Sequence, residues 1–368
     1  MPTLELLKEL PASRSDAFHD VRSPGGYEWW YFDAEDAKTD TQVVVSLLHG
    51  IVFHPGYLRA YARYLRRPTR HAPPTAGDFP CAYLMVYQHG KIKHQFMTQY
   101  ARDDFRASSD VPDVTMGPNT LRQDPDGALS LHLSGTPWKL TGQGPKTLHG
   151  QELLADLRFQ PELGHPPDER RFLSREMTGA DHHWVIANPL CRVTGTIQLN
   201  GGAGDTLHFT GRGYHDHNYG TAPIGPGLKR WIWGRVFFDD APDAPRVVTF
   251  HFARPRDTSL PDELHLTEAD ASRLVDHPIP VDRVHVDWSR RTALMLAYPD
   301  RLEFGEVMTL SNPRLIDMQP FYLRLMYDAH SRGKTGVAFC EVAYPHRLRW
   351  PILGRMIEMS IDRRDRKR

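Results

Sequence analysis

The chain has 368 residues, and its 45 lysine and arginine residues balance 45 aspartate and glutamate residues. This length favours two packed domains or one large barrel-like unit, and the balanced charge excludes the general electrostatic attraction of a nucleic-acid-binding protein. Three cysteines, Cys81, Cys191 and Cys340, are odd in number and far apart, which argues against a disulfide-stapled secreted domain.

The two ends of the chain add expectations about location. The first twenty residues mix charged side chains with leucines, so they lack the apolar segment of a signal peptide and indicate a cytoplasmic protein. From Arg363 onward the tail is strongly basic, which allows transient contact with an anionic membrane surface, although a solvated, frayed end is the favoured explanation.

In chain order, most of the sequence consists of short apolar runs separated by proline, glycine, aspartate and asparagine, a pattern typical of strands and turns. Predicted strands are 42–48, 82–88, 91–100, 129–133, 193–199, 206–213, 230–238, 246–253, 283–288, 321–327 and 336–344. Segments 4–10, 57–65 and 268–275 are predicted helices, and 66–79 and 161–170 are predicted loops.

The connections between these elements indicate the fold class. Residues 200–205 form the best hairpin turn, between strands 193–199 and 206–213, and residues 238–245 form another. Because the strands do not alternate with helices, antiparallel barrels or sandwiches are favoured over a parallel sheet. A break rich in proline and glycine at 221–227 divides the chain into predicted domains of residues 1–225 and 226–368.

The first cluster with chemical potential is the aromatic run that begins after Gly26. As a strand, it places Glu28, Trp30 and Phe32 on one face and Trp29 and Tyr31 on the other. Aromatic residues on both faces predict a strand that is covered on both sides. They favour either an ordinary core strand or a wall for an apolar ligand, whose cationic intermediate the ring faces would stabilise.

Two further clusters carry aromatic residues in the same alternating way. His182 and Trp184 share one face of an extended segment, and Trp231 and Trp233 share one face of another. By itself, the first pattern favours a structural histidine, and the second is explained by core packing about as well as by contact with a ligand.

The densest cluster is Gly-Arg-Gly-Tyr-His-Asp-His-Asn-Tyr-Gly at 211–220. In a strand, one face carries Tyr214, Asp216 and Asn218, and the other carries His215, His217 and Tyr219. The two histidines have the spacing of a metal-ligand pair, but no third ligand can be identified from spacing. Alternatively, a buried Asp216 with a raised pKa acts as a general acid.

Which face of this strand lines a cavity depends on whether the strand is regular or contains a bulge. In a regular strand, Leu207 and Phe209 lie in phase with His215 rather than with Asp216. A bulge at Gly211 or Gly213 would reverse this relation. No Walker A motif, dinucleotide-binding fingerprint, nucleophile elbow or Cys-x-x-Cys pair is present, so no cofactor is predicted.

Four motifs occur in this order along the chain: Glu-Trp-Trp-Tyr-Phe-Asp at 28–33, His-His-Trp at 182–184, Gly-Tyr-His-Asp-His-Asn-Tyr-Gly at 213–220 and Trp-Ile-Trp-Gly-Arg at 231–235. As a set, they resemble the carotenoid 1,2-hydratase (hydroxyneurosporene synthase) and AttH-like family. The resemblance implies an all-β fold of two lipocalin-like antiparallel β-barrel domains with a few short helices. It also implies cofactor-independent hydration of a double bond in an acyclic carotenoid. Tyr219 departs from the tryptophan common in this family, and the hydratase pattern does not require His215 or His217.

The resemblance assigns roles by position. Asp216 would protonate the alkene, Trp184 would stabilise the carbocation, and His182 and Tyr214 would hold or recharge the acid. Candidate substrate-binding residues are Trp30, Glu28, His215, His217, Asn218, Trp231 and Trp233, and no metal is predicted.

The expected partner is a lipophilic isoprenoid or polyene small molecule that is hydrated, cyclised or isomerised. Three other functions stay open. They are a pericyclase of the Diels-Alderase type, a lipocalin-like protein that binds an apolar ligand without changing it, and, more distantly, a metal hydrolase.

Overall fold

The computed structural model describes residues 14–142, 144–163, 167–200, 206–241 and 244–364. Within these ranges the chain is mostly β-strand. The strands are β1 (Tyr27–Asp36), β2 (Thr41–His49), β3 (Cys81–Gln88), β4 (Lys91–Gln99), β5 (Phe105–Ala107), β6 (Val114–Met116), β7 (Asn119–Gln123), β8 (Leu129–Gly135), β9 (Trp138–Thr141), β10 (Gly144–Thr147), β11 (Glu152–Pro161), β12 (Asp168–Phe172), β13 (His182–Asn200), β14 (Thr206–Gly220), β15 (Leu228–Ala241), β16 (Ala244–Pro255), β17 (Glu263–Asp270), β18 (Leu274–Asp276), β19 (Val284–Ala293), β20 (Leu296–Phe304), β21 (Met308–Met318), β22 (Tyr322–Ser331), β23 (Lys334–Ala343) and β24 (Asp362–Arg363).

Helices are few and short. They are α1 (Pro55–Arg66), α2 (Arg175–Thr178) and α3 (Pro351–Glu358), with 3₁₀ turns at Ala76–Asp78, Arg102–Asp104, Val281–Arg283 and Pro345–Arg349. His54 caps α1, because its side chain accepts a hydrogen bond from the backbone N–H of Tyr57 at 3.2 Å, and Pro55 occupies the first turn. No helix among the described residues is long and apolar enough to span a membrane.

Two large curled sheets form the body of the protein. The first has the order β24-β4-β3-β2-β1-β14-β13-β11-β8-β7-β6-β5, with β12 added beside β13. The second has the order β18-β17-β16-β15-β23-β22-β21-β20-β19, and β9 pairs with β10 separately. The first sheet is antiparallel except where β24 returns from the second half of the chain to pair in parallel with β4.

The apolar side chains form three main clusters that follow from the alternation of each strand. One cluster, which includes Trp30 and Phe32, fills the inside of the first sheet, and another, which includes Ile232 and Phe250, fills the inside of the second. The third lies between the two sheets and contains most of the aromatic residues singled out in the sequence: Tyr27, Tyr31, Trp184, Tyr214, Trp231 and Trp233. The conspicuous motifs therefore meet where the sheets pack.

A buried ion pair ties the sheets together at this interface. Arg235 on β15 is fully buried, and its Nε donates to Asp33 Oδ1 on β1 at 2.6 Å, while Nη1 donates to Glu35 Oε2 at 2.5 Å. Burial raises the pKa of Asp33 to about 6, although the neighbouring guanidinium lowers it. Apart from β24, the strands of the first sheet end at Gly220, and those of the second begin at Leu228, but the division into two domains stays a prediction.

The strands predicted from the sequence are present with shifted ends, and 193–199 and 206–213 extend into the long β13 and β14. Helix 57–65 is confirmed as part of α1, whereas the predicted helix at 268–275 is wrong. There, β17 pairs with β16 and β18, because backbone pairing in the sheet outweighs local helix propensity. Strand β12 begins at Asp168, so the predicted loop 161–170 is wrong at its end, and β11, β20, β21 and helix α3 are among the elements that were not predicted. The predicted helix at 4–10 lies outside the described residues.

Candidate active site

Strand β14 is buried on both faces from Gly213 to Gly220. It pairs with β1 without interruption, from Arg212 opposite Glu35 to Gly220 opposite Tyr27. The irregularities lie in the partner β13 instead, where the register shifts on both sides of Asn188. Pairing is continuous with β13 from Phe209 to Gly213 and with β1 from Arg212 to Gly220, so β14 has no bulge at Gly211 or Gly213 and its alternation runs unbroken from Phe209 to His215.

Asp216 faces the cluster between the two sheets and accepts three hydrogen bonds. Tyr214 OH and Trp184 Nε1 donate to Oδ2 at 2.7 Å and 2.8 Å, and Asn218 Nδ2 donates to Oδ1 at 2.7 Å. Tyr214 and Asn218 come from the same face of β14, and Trp184 is opposite Asn218 on β13. The two motifs from distant parts of the chain thus form one hydrogen-bonded group.

Burial controls the acidity of this carboxyl group. Only 4% of Asp216 is exposed, and this desolvation raises its pKa to about 7, although the donors Tyr214 and Trp184, the charge of His215 and the donor Asn218 lower it. A carboxyl group with a pKa near 7 is populated in both its acid and its base form at neutral pH. The site can therefore deliver a proton and take one back.

His182 lies near this group but does not hydrogen-bond to Asp216. Its Nδ1 is 2.7 Å from Tyr27 OH, and its ring stacks on Trp29 with the ring centroids 5.7 Å apart. Burial lowers the pKa of His182 to about 3, so its imidazole is neutral at neutral pH. The structure brings His182 and Trp184 to the same face of β13, but only Trp184 reaches the acid.

The opposite face of β14 carries a second polar group inside the first sheet. His215 Nε2 is 3.0 Å from Asp16 Oδ2, and His217 Nε2 is 2.9 Å from Glu28 Oε1. His19 Nδ1 lies 2.9 Å from the same Glu28 oxygen. Of the predicted substrate-binding residues, Trp30, Glu28, His215 and His217 belong to this group: His215 stacks on Phe32 and His217 on Trp30.

These contacts change how the His-x-His pair is interpreted. His215 and His217 share a face, as the spacing predicts, but His215 hydrogen-bonds to Asp16 and His217 to Glu28, with His217 Nδ1 also 3.5 Å from Asp16 Oδ1. Among the described residues, a metal ion could be held by His19, Glu28 and His217, whose ligand atoms all lie within 4.8 Å of one another. Here the two imidazoles hydrogen-bond to the carboxylate itself. Asp16 and His19 were missed because no spacing connects them to β14.

A cavity of about 170 Å³ lies between the sheets beside the Asp216 group. Its wall is mostly apolar and aromatic, and Trp29, Tyr31 and Trp231 contribute to it together with Phe53 and Trp138. This volume is below the roughly 300 Å³ at which sites for whole drug-sized ligands begin. The cavity suits the end of an extended apolar molecule better than a whole large ligand.

Aromatic side chains connect the cavity to the acid. Tyr31 lines the cavity and lies edge-on to Tyr214, with ring centroids 6.4 Å apart, while Trp29 lines it and stacks on His182. Asp216 does not itself line the cavity, so one layer of side chains separates them. Trp233, predicted to bind substrate, lies in this layer and contacts Tyr31.

Two buried polar residues of the second sheet were missed by the sequence reasoning. Arg324 lines the cavity and its Nη1 donates to Tyr87 OH at 2.7 Å. His251 lies against Trp184 and Trp231, and neither ring nitrogen has a hydrogen-bond partner among the described residues. No local motif marks either residue, because both reach the site through sheet packing.

Comparison with known proteins gives consistent results. The family described as carotenoid hydratase CrtC matches residues 50–368. A hydroxyneurosporene dehydrogenase of Chlorobaculum tepidum is 30% identical over 325 residues, which cover 85% of this chain and 79% of that protein. An acyclic carotenoid 1,2-hydratase of Thiocapsa roseopersicina is 30% identical over 223 residues, which cover 59% of this chain but only 46% of that protein.

Two crystal structures share the fold. An AttH-like protein from Nitrosomonas europaea superposes with a TM-score of 0.60 at 15% identity, over 94% of this chain and 98% of that chain. Kievitone hydratase from Nectria haematococca superposes with a TM-score of 0.52 at 8% identity, over 93% and 94% of the two chains. These likenesses confirm the predicted all-β, lipocalin-type fold and, at such low identity, concern the fold alone.

Proposed function

Because the chain belongs to the carotenoid hydratase CrtC family, we propose that it is a hydratase that adds water to a carbon–carbon double bond at the end of a lipophilic isoprenoid chain, with Asp216 as the acid. The observation that carries this proposal is a buried carboxyl group with a pKa of about 7 beside an aromatic-walled cavity. No protein group other than this acid is required to supply the proton.

The proposed reaction balances with water alone. The carboxyl proton of Asp216 adds to the less substituted carbon of the double bond, and the π electrons form the new C–H bond. The tertiary carbocation that remains is captured by the oxygen of a water molecule. That oxygen then loses a proton, which returns directly or through solvent to the Asp216 carboxylate.

The surroundings of Asp216 support each step. Tyr214 and Trp184 donate to Oδ2 and Asn218 donates to Oδ1, so all three stabilise the carboxylate while the cation exists. The faces of Trp29, Tyr31 and Trp231 surround the cavity and would stabilise a cation there. Since one aromatic layer separates the cavity from the acid, Tyr31 or Trp29 must move aside when the chain end enters.

The test uses purified protein, an acyclic carotenoid in detergent micelles and water labelled with ¹⁸O. We expect the wild type to give an alcohol that contains ¹⁸O, and Asp216→Asn to lower turnover by roughly a hundredfold or more, the size of a general-acid contribution. A rearranged product without ¹⁸O would indicate a pericyclase or an isomerase. Bound carotenoid recovered unchanged would indicate a binding protein.

Asp317→Asn is the matched control. Asp317 is also a buried aspartate whose pKa is raised by burial, and it also accepts a hydrogen bond from a tyrosine, Tyr87, at 3.1 Å. We expect this variant to keep wild-type turnover. Equal losses in both variants would mean that any buried aspartate is needed for folding, and would contradict a specific role for Asp216.

A further inference from the structure

Helix α3 exposes apolar side chains on the face that should be polar in a solvated helix. Ile352 is 68% exposed and Met356 is 43% exposed, and the flanking Trp350 and Met359 are 41% and 58% exposed. The other face is packed in the ordinary way, since Ile357 is buried against Phe321 and Leu348. The outward face of α3 thus has no partner among the described residues.

The β9–β10 hairpin extends this surface. Leu140 on β9 is 69% exposed. The Cε of Met359 lies 3.3 Å from the position that a Cβ on Gly144 of β10 would occupy, so the hairpin and the end of α3 are in contact. We call Leu140, Trp350, Ile352, Met356 and Met359 the apolar patch.

Basic side chains accompany the apolar patch. Arg349 and Arg355 on the α3 segment are exposed beside it, whereas the exposed Lys139 and Lys146 are cross-strand partners on the other face of the hairpin. The acid on α3, Glu358, is already paired with Arg59 of α1 and lies 4.0 Å from Arg363. Although the whole chain has no net charge, this surface is locally basic.

The apolar patch lies at one end of the cavity between the sheets. Ile357 and Ser360 of the α3 segment line the cavity, and so does Trp138 of the β9–β10 hairpin. The elements that carry the exposed apolar side chains therefore also form the cavity wall.

We propose that the apolar patch docks on an anionic lipid bilayer, with its apolar side chains in the headgroup region and the neighbouring Arg349 and Arg355 against the lipid phosphates. An apolar face bordered by cations is the pattern of helices that lie in a membrane interface. A second copy of the chain is a poorer occupant, because a symmetric contact would bring the same basic residues face to face. The proposal concerns binding alone and holds whatever reaction the cavity supports.

The test is co-flotation of the full chain with phosphatidylcholine vesicles that contain or lack phosphatidylglycerol. We expect binding to the anionic vesicles, which added salt weakens. The double variant Ile352→Glu/Met356→Glu should reduce the partition coefficient by roughly tenfold or more, since two exposed apolar side chains no longer enter the interface. Both positions are exposed, so circular dichroism and the melting temperature should match the wild type.

The matched control is Met295→Glu, at an exposed methionine between β19 and β20 of the second sheet. This variant should bind vesicles like the wild type. The proposal is overturned if the wild type does not float with anionic vesicles, or if the double variant floats as well as Met295→Glu. It is also overturned if analytical ultracentrifugation shows a dimer that the double variant loses while vesicle binding is unchanged, because the surface would then be a contact between copies.

Discussion

The hydrogen bond from Tyr214 to Asp216 can be removed with little other change, and this tests the acid directly. Tyr214→Phe deletes the hydroxyl that donates to Asp216 Oδ2 at 2.7 Å and keeps the buried ring. The bond stabilises the ionised carboxylate, so its loss raises the pKa of Asp216 above its value of about 7. The protonated form then persists to higher pH.

The size of the change follows from the strength of such a bond. A hydrogen bond to a charged group contributes roughly 1.5–3 kcal/mol, and about 1.4 kcal/mol corresponds to one pKa unit. The pKa of Asp216 should therefore rise by about one to two units. Since the reaction needs the protonated acid, the value of kcat/KM falls as pH rises through this pKa, and the alkaline limb should move from about pH 7 to about pH 8–9.

The assay is kcat/KM for hydration of an acyclic carotenoid between pH 5 and pH 10, at equal detergent concentration. Tyr219→Phe is the control, because Tyr219 lies on the same strand but donates to Glu169 at 2.8 Å on the other face. Its alkaline limb should coincide with that of the wild type. If the limb of a folded Tyr214→Phe variant stays in place or moves to lower pH, Asp216 is not the acid that limits the rate.

Three other predictions concern the buried polar groups. Burial alone would raise the pKa of Glu28, but the histidines bonded to it lower the pKa to about 2, so the free energy of unfolding should fall by about 3 kcal/mol as pH drops from 4.5 to 2. Urea titrations at several pH values should show this fall in the free energy of unfolding with decreasing pH for the wild type, and a smaller fall for Glu28→Gln. Arg235→Met should cost about 3–5 kcal/mol because it leaves Asp33 buried without its partner, and adding Asp33→Asn should restore part of the loss, whereas no restoration would refute the pairing. The His182 ring, whose pKa burial lowers to about 3, should show no titration by ¹⁵N NMR between pH 8 and pH 5, and a midpoint near 6.5 would contradict its burial.

Local alternation allowed part of the candidate site to be predicted. Tyr214, Asp216 and Asn218 had to share a face of any regular strand, since strand side chains alternate with a period of two. The same rule placed His182 with Trp184. It could not show that Trp184, rather than His182, reaches the acid, because this depends on the register between β13 and β14, and that register shifts at Asn188.

Other parts of the site had no signal in the sequence. Asp16 and His19 reach β14 from an irregular segment, and Arg324 and His251 reach the cavity region from the second sheet. Helix α3 was missed since its short apolar sequence resembles a buried strand as much as a helix. Its exposed face becomes meaningful only beside the hairpin and the cavity.

The strand-rich fold, the family motifs and the identity of the candidate acid could all be predicted from the sequence, because these follow from local alternation, turn residues and motif order. Only the packing of the strands buries both faces of β14, turns Asp216 toward the second sheet, and gives His215 a hydrogen bond to Asp16 and His217 one to Glu28. Burial and the acidity that follows from it are set by groups distant in the chain. The raised pKa of Asp216 therefore exists only when the two sheets pack together.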